Sequence, residues 1–354
     1  MSSVHTKLKI GGSLLVQKHS AILGAVTAAA AIALLSACSG AGSQGASSTI
    51  PGSGISQSLQ RSDLSRAGIS PKHLAAARLL KSLSHGVNPA KKKGAKDLFV
   101  SDFGTGAVEI LANKTWTNTG SISSGIDGPD GNWVDKKGNL YVANYAGADI
   151  TEYAKGSSSP KSTYSGVEDP VAVTTDSSGN VYEGDYEGGY VSEFAQGSNS
   201  IIAQCSPGGD VEGVAVDKSG DVFVAYEATS GGKITEYTGG LSGCSGTALG
   251  VSLEFPGGMV LDKKGNLVVC DQDAEAVDII APPYSSVTST LGSGYSDPFH
   301  VTINKRNKQA YVANFGDEDV LVLSYPAGSV KATLNGSNGL SEPAAAVDSK
   351  NYNP

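Results

Sequence analysis

The chain has 354 residues, 46 of them glycine, and a formal net charge of −8. Glycine stands at about twice its usual ~7% share, which excludes a bundle of long helices and suits short strands joined by tight turns. Charge is unevenly placed: residues 61–96 hold nine Lys/Arg against Asp63 alone, whereas residues 97–354 hold 14 basic against 33 acidic residues, a net of −19 that argues against a nucleic-acid partner.

The N-terminus is laid out as an export signal. Lys7, Lys9 and Lys18 precede an apolar run from Ala21 to Leu35 that contains no acidic residue. At 15 residues the run is short of the ~20 that a membrane-spanning helix needs. It ends in Leu35-Ser36-Ala37-Cys38, which resembles the lipobox of bacterial lipoproteins. The resemblance implies a signal peptide over residues 1–37, a lipid on Cys38 and membrane attachment through it. An ordinary signal peptide with a chance cysteine is the alternative reading. The address expected is the bacterial cell envelope, extracytoplasmic and lipid-anchored. With Ser39 rather than an aspartate after the cysteine, the resemblance also implies sorting to an outer membrane where the cell has one.

Residues 38–69 are rich in Gly and Ser and read as a flexible tether. Residues 70–96 change character. Ser70-Pro71 supplies an N-cap followed by proline at the first helical position, and HLAAARLLKSL continues as a helix of about three turns before Gly86. The basic neck that follows suits contact with anionic headgroups, a fold back onto the acidic domain, or a solvated spacer.

From residue 97 onward the chain repeats itself. LFVSD at Leu98 returns as LYVAN at Leu140, VYEGD at Val181, VFVAY at Val222, LVVCD at Leu267 and AYVAN at Ala310, in steps of 42, 41, 41, 45 and 43 residues. A period in that range marks a repeat architecture. Pro129, Pro170, Pro256 and Pro298 each precede Asp135, Asp176, Asp262 and Asn304 by six residues, with apolar residues between. The turns VDKKGN, TDSSGN, VDKSGD and LDKKGN then lead into the echoed strand, so each unit starts with a hairpin. VEIL, ITEY, VSEF and ITEY follow as third strands, and runs such as SIIAQCS and SVKATLN as fourth strands. Four antiparallel strands repeated six times predict an all-β, six-bladed propeller over residues 97–354. The first unit lacks its opening strand, and Glu342-Pro343-Ala344-Ala345-Ala346-Val347-Asp348 at the C-terminus supplies one, so the last strand is expected to close the ring.

The P-x-x-V-A-V-D-x-x-G-N-L-Y-V-A-N/D pattern is similar to the NHL-repeat propellers and, more distantly, to the regucalcin/gluconolactonase group and virginiamycin B lyase. The resemblance covers nearly all of residues 97–354. It implies a fold that hosts many unrelated activities, so function has to be argued from the site.

In a hairpin the start of the first strand and the end of the second share one edge, so two sets of residues are expected at one mouth of the central channel. Strand ends contribute Asp102, Asn144, Asp185, Tyr226, Asp271 and Asn314, oxygen-bearing side chains that suit a hard cation such as Ca2+ or Mg2+ or merely cap their strands. Strand starts contribute a small residue four places before each turn, Gly131, Ala172, Gly213, Gly258 and Ala344, except in the sixth unit, where His300 stands. His300 is the only histidine after residue 85. Asp130 and Glu212 lie one position earlier in their units, so two carboxylates and an imidazole are expected to face one pocket. His300 then acts as a general acid or base near its unperturbed pKa of ~6.5, or is a hydrogen-bonded channel residue.

Virginiamycin B lyase likewise relies on a histidine with metal-binding acidic residues, and a metal-dependent lactonase or lyase at this mouth is expected to hold one divalent ion by some of Asp130, Glu212, Asp185 and Asp271, with His300 as the catalytic residue. One histidine rules out a multi-histidine zinc centre. No nucleophile elbow, phosphate loop or dinucleotide fingerprint occurs. DQDAEAVD at Asp271–Asp278 lacks the glycine and terminal glutamate of a calcium loop. Cys270 sits inside a strand, and Cys205 and Cys244 lie near the outer strands of consecutive units, with a disulfide and two free thiols both open. Two functions remain: a lipid-anchored binding or scaffold module for a protein, glycan or envelope component, and a metal-dependent lactonase or lyase.

Overall fold

A computed structural model describes residues 96–351. The expected signal peptide, lipidated Cys38, tether, helix and most of the basic neck lie outside the described residues, as do residues 352–354.

Six four-stranded antiparallel sheets form the ring. The first blade holds β1 (Asp97–Asp102), β2 (Ala107–Ala112) and β3 (Asn118–Ile122). The second holds β4 (Pro129–Val134), β5 (Leu140–Asn144), β6 (Asp149–Tyr153) and β7 (Pro160–Ser165). The third comprises β8 (Pro170–Thr175), β9 (Val181–Asp185), β10 (Tyr190–Phe194) and β11 (Ile201–Cys205). In the fourth are β12 (Asp210–Val216), β13 (Val222–Ala228), β14 (Gly231–Tyr237) and the short β15 (Gly246–Ala248). The fifth contains β16 (Pro256–Leu261), β17 (Leu267–Asp271), β18 (Ala276–Ile280) and β19 (Ser289–Thr290). The sixth has β20 (Pro298–Ile303), β21 (Gln309–Asn314), β22 (Asp319–Ser324) and β23 (Val330–Leu334). Finally β24 (Pro343–Asp348) joins the first blade by pairing with β1, from Leu98↔Asp348 to Asp102↔Pro343. The ring is closed as the repeat predicts, and β1 is paired on both sides, with β2 and with β24.

The sequence builds this arrangement locally. In four blades the turn aspartate accepts the backbone N–H groups two and four residues on, as Asp135 does from Lys137 and Asn139 at 2.8 Å each, so one side chain sets each hairpin. Apart from Asp210 at the start of β12, the inner strands are buried along their whole length, whereas β7, β11 and β23 at the rim are largely exposed. The core lies between blades. Trp133, Tyr141, Ile150 and Tyr164 of the second blade pack with Val173, Val181 and Phe194 of the third, and the Tyr164 and Phe194 rings meet edge-on at 5.5 Å.

Register differs from the sequence alignment at one point. His300 pairs with Ala313 and Ala345 with Ser101, so the first-blade counterpart of His300 is Ala345 rather than Ala344. The strand β24 runs only five residues from its proline to Asp348, where the others run six, and counting back from the turn misplaces it by one.

Cys205, at the end of β11, and Cys244, in the fourth blade, are joined as a disulfide with a Cα–Cα separation of 5.4 Å, inside the range such bonds require. The bond staples consecutive blades at the rim and closes a 39-residue separation. Chain entropy for such a loop is worth up to about 4 kcal/mol. A Cys205→Ser/Cys244→Ser double variant is therefore expected to melt about 5–15 °C lower in a calorimetric scan. An unchanged scan would show that the bond carries no stability.

Candidate functional site

One end of the channel, here called the mouth, is formed where the first strands start and the second strands end. Five backbone bonds extend the ladders there: Phe103, Tyr145, Tyr186, Gln272 and Phe315 donate their N–H groups to Glu342, Gly128, Asp169, Phe255 and Asp297 at 2.8–3.0 Å. The opposite end carries the hairpin turns.

The strand-end set does not converge on a ligand. Asp102 is fully buried and its carboxylate accepts the backbone N–H groups of Ser341, Glu342 and Thr105 at 2.7–3.0 Å. Asp185 accepts from Glu168, Asp169 and Gly188, and Asp271 from Glu254 and Phe255. Asn144 and Asn314 use their amide oxygens on the N–H groups of Asp127 and Ser296 and their nitrogens on neighbouring carboxylates. Each of the five therefore fastens the loop that enters its own blade. Burial pushes the Asp102 and Asp271 carboxyls upward in pKa, and the donated amides oppose it.

In the fourth blade Tyr226 replaces the clamp. That blade also lacks the proline, and the ladder runs one pair further, to Asp210↔Glu227, so the loop is held by strand pairing instead. The Tyr226 hydroxyl accepts a bond from Thr235 at 3.3 Å.

The strand-start set does meet at the axis. His300 Nε2 lies 3.3 Å from Asp130 Oδ1, both groups almost fully buried. The other edge of the imidazole rests on Gly258, where a Cβ would come within 1.9 Å of Nδ1. His300 thus crosses the channel from the sixth blade, touching the fifth on one side and the second on the other. Gly131 is small for a related reason, since a Cβ there would meet the Val171 carbonyl oxygen at 2.4 Å. On the turn side of His300 the channel holds a cavity of only about 20 Å³, lined by Asn132, Trp133, Val173, Val214, Met259 and Thr302 among others. That is room on the scale of a water molecule, not of an organic substrate.

The residues at the mouth include both buried carboxylates and buried aromatic rings. Asp130, Asp169, Glu212 and Asp297 are at most 2% exposed, with Glu342 partly exposed. Tyr145, Tyr186 and Phe299 are buried beside them, and Phe299 stacks obliquely on Phe315 at 5.3 Å. Of the four residues expected to hold a metal, Asp130 faces His300, Glu212 occupies the equivalent position in the fourth blade, and Asp185 and Asp271 bind backbone amides. Among the described residues no three His, Cys, Asp or Glu side chains are grouped as metal ligands.

Two residues were not singled out from the sequence. Gln272 is 1% exposed, lies against Gly257 at the mouth, and neither atom of its side-chain amide has a hydrogen-bond partner among the described residues. It follows the strand-end aspartate where four other blades carry Phe or Tyr and the fourth blade carries Glu227, a departure visible in the repeat. Glu183 is the second. It is fully buried in β9, at the position where the other five units have valine. Burial holds its carboxyl well above the usual range, and the Asp185 charge adds to the effect.

No family model matches the chain, and no curated protein matches it. Solved structures do. A chain from the crystal structure of a nidogen/laminin complex superposes with a TM-score of 0.60 at 15% identity, over 72% of this chain and 98% of that one. A Bacteroides caccae protein of unknown function superposes with a TM-score of 0.58 at 13% identity, over 72% of this chain and 99% of that one. At such identities the likeness is one of fold.

Proposed function

We propose that the chain is a lipid-anchored, extracytoplasmic binding module that receives a cationic group of a protein partner at the channel mouth. The observation that carries this reading is Gln272, a buried amide with no hydrogen-bond partner among the described residues, at a rim of carboxylates and aromatic rings. Buried amides in folded proteins are almost always bonded, so an unmade pair at a mouth points to a ligand. The surrounding carboxylates favour positive charge, and aromatic faces add cation–π attraction. The lipobox-like Leu35–Cys38 segment and the NHL-like repeat support an anchored binding propeller, and a propeller of the same fold occurs in a nidogen/laminin assembly.

The test is an array of lysine- and arginine-bearing peptides, acidic peptides and neutral oligosaccharides presented to the full chain. Basic peptides are expected to bind, more weakly at high salt, and Gln272→Leu is expected to weaken them at least tenfold with the melting temperature unchanged. Selective capture of neutral sugars, or equal binding by the variant, would defeat the reading.

A Ca2+- or Mg2+-dependent lactonase or lyase has the His300–Asp130 contact in its favour. A ligand that binds only the native state must raise its stability, by about 2.7 kcal/mol at 100 times its Kd. Because Asp185 and Asp271 hold backbone amides, calcium or magnesium added after chelation is expected to leave the melting temperature unchanged. A rise of several degrees would favour the metalloenzyme.

A further inference from the structure

The two ends of the ring differ in charge as sharply as the two parts of the sequence. Antiparallel order places the hairpin turns and the links between third and fourth strands at the end opposite the mouth. Among the described basic residues only Lys233, near the start of β14, lies on the mouth half. The turn end holds the rest, and it holds them unevenly. Lys136, Lys137 and Lys155 of the second blade, Lys263 of the fifth, Lys305 of the sixth and Lys350 of the first line one cavity of about 550 Å³. An adjoining groove of about 520 Å³ shares Lys305 and Lys350 and adds Lys96, Lys114, Arg306, Lys308 and Lys331.

The acids within this crescent face inward. Asp135 binds the Lys137 and Asn139 amides, and Asp348 binds the Lys350 amide, the Asn113 side chain and the Tyr311 hydroxyl. The third and fourth blades interrupt the crescent, since their turns read DSSGN and DKSGD and supply one lysine between them. A basic arc over four adjacent blades remains. It spreads over four blades, with half-buried Trp116 in its groove. Such a layout fits a planar array of negative charges better than one compact polyanion. The chain also enters β1 from this face, at Lys96 and Asp97, and Lys91–Lys93 precede that point in sequence.

We infer that the turn-side face docks on the surface of an anionic phospholipid bilayer, with the mouth turned away from it. Each lysine near such a surface contributes about 1 kcal/mol, or about fivefold in the ratio of docked to undocked molecules. Tryptophan at headgroup level is the aromatic that membrane interfaces favour. The inference does not depend on what the mouth binds.

The test uses the full chain on vesicles of phosphatidylcholine alone and of phosphatidylcholine with phosphatidylglycerol, both carrying a headgroup-attached quencher of tryptophan fluorescence. The chain has two tryptophans, and Trp133 is buried in the core, so Trp116 reports on the face. Quenching is expected on the anionic vesicles only, and it should disappear at 0.5 M salt. The triple variant Lys263→Gln/Lys305→Gln/Lys350→Gln keeps the N-terminal segment intact and is expected to lower the docked ratio about 100-fold, with an unchanged melting temperature. Equal quenching on both vesicles, or equal quenching by the variant, would overturn the inference. So would binding of soluble polyphosphate by a chain that ignores the anionic vesicles, which would assign the face to a compact polyanion.

Discussion

Deleting residues 341–354 is expected to abolish the cooperative melting of the propeller. The strand β24 is held by three blades at once. Its backbone pairs with β1, the Thr302 hydroxyl donates to the Ala346 carbonyl at 2.6 Å, the Asn132 amide donates to the Ala345 carbonyl at 3.4 Å, and Asp348 accepts from Tyr311 at 3.0 Å. Val347 and Ala344–Ala346 are at most 1% exposed, and their burial is worth about 4 kcal/mol. Each buried polar group left without its partner costs a further ~1–3 kcal/mol. The total is comparable with the whole stability of an ordinary domain, about 5–15 kcal/mol. The loss also exposes the edge of β1 to pairing between chains. Circular dichroism on heating should show a broad, non-cooperative change, and a synthetic peptide spanning 341–354 should restore the transition when added in trans. A truncated chain that melts within a few degrees of the intact one would refute closure through β24.

The ring was legible because its rules act locally and repeat. An aspartate three residues before a turn glycine recurs in four blades and a proline at the start of the inner strand in five, and the apolar strand pattern recurs in all six. The direction in which a strand-end side chain turns is not encoded by spacing. Register puts Asp102, Asp185 and Asp271 at the mouth, yet their carboxylates turn into the loops. The reason is that each loop entering a blade presents backbone N–H groups with no ladder partner, as at Glu168 and Asp169 or Glu254 and Phe255. Only an accounting of backbone donors would have exposed that need. His300 and Asp130 were found differently, as breaks in a pattern of small axial residues, and the structure puts them 3.3 Å apart. Gln272 is a break of the same kind.

Glu183 is the break with the clearest energetic signature, and Glu183→Val is expected to stabilise the protein. Five blades place Val100, Val142, Val224, Val269 and Val312 at this position, so the backbone already accommodates valine there. In the third blade a carboxyl stands opposite Ser192 and Val173, on the strand face it shares with Val181, against the aromatic cluster of the second blade. Its folded pKa lies well above its ordinary value of 4.5. The native state therefore holds a proton that the unfolded chain releases once the pH passes 4.5. Over that window stability falls with rising pH, by about 1.4 kcal/mol per unit for one group, until the folded pKa is reached. Asp278 and Asp319, both pushed up by burial to about 6, act in the same direction over the lower part of the window. The wild-type protein is thus expected to melt higher near pH 5 than near pH 7. Glu183→Val removes this contribution and should raise the pH 7 melting temperature by roughly 4–8 °C, equivalent to about 2 kcal/mol. Its advantage should shrink as the pH falls towards 4.5. Glu183→Gln, which has the shape of the neutral acid and no titration, should flatten the pH dependence without the gain in packing. Parallel melting curves for wild type and both variants between pH 4.5 and 8 would show that Glu183 is not held protonated in the fold.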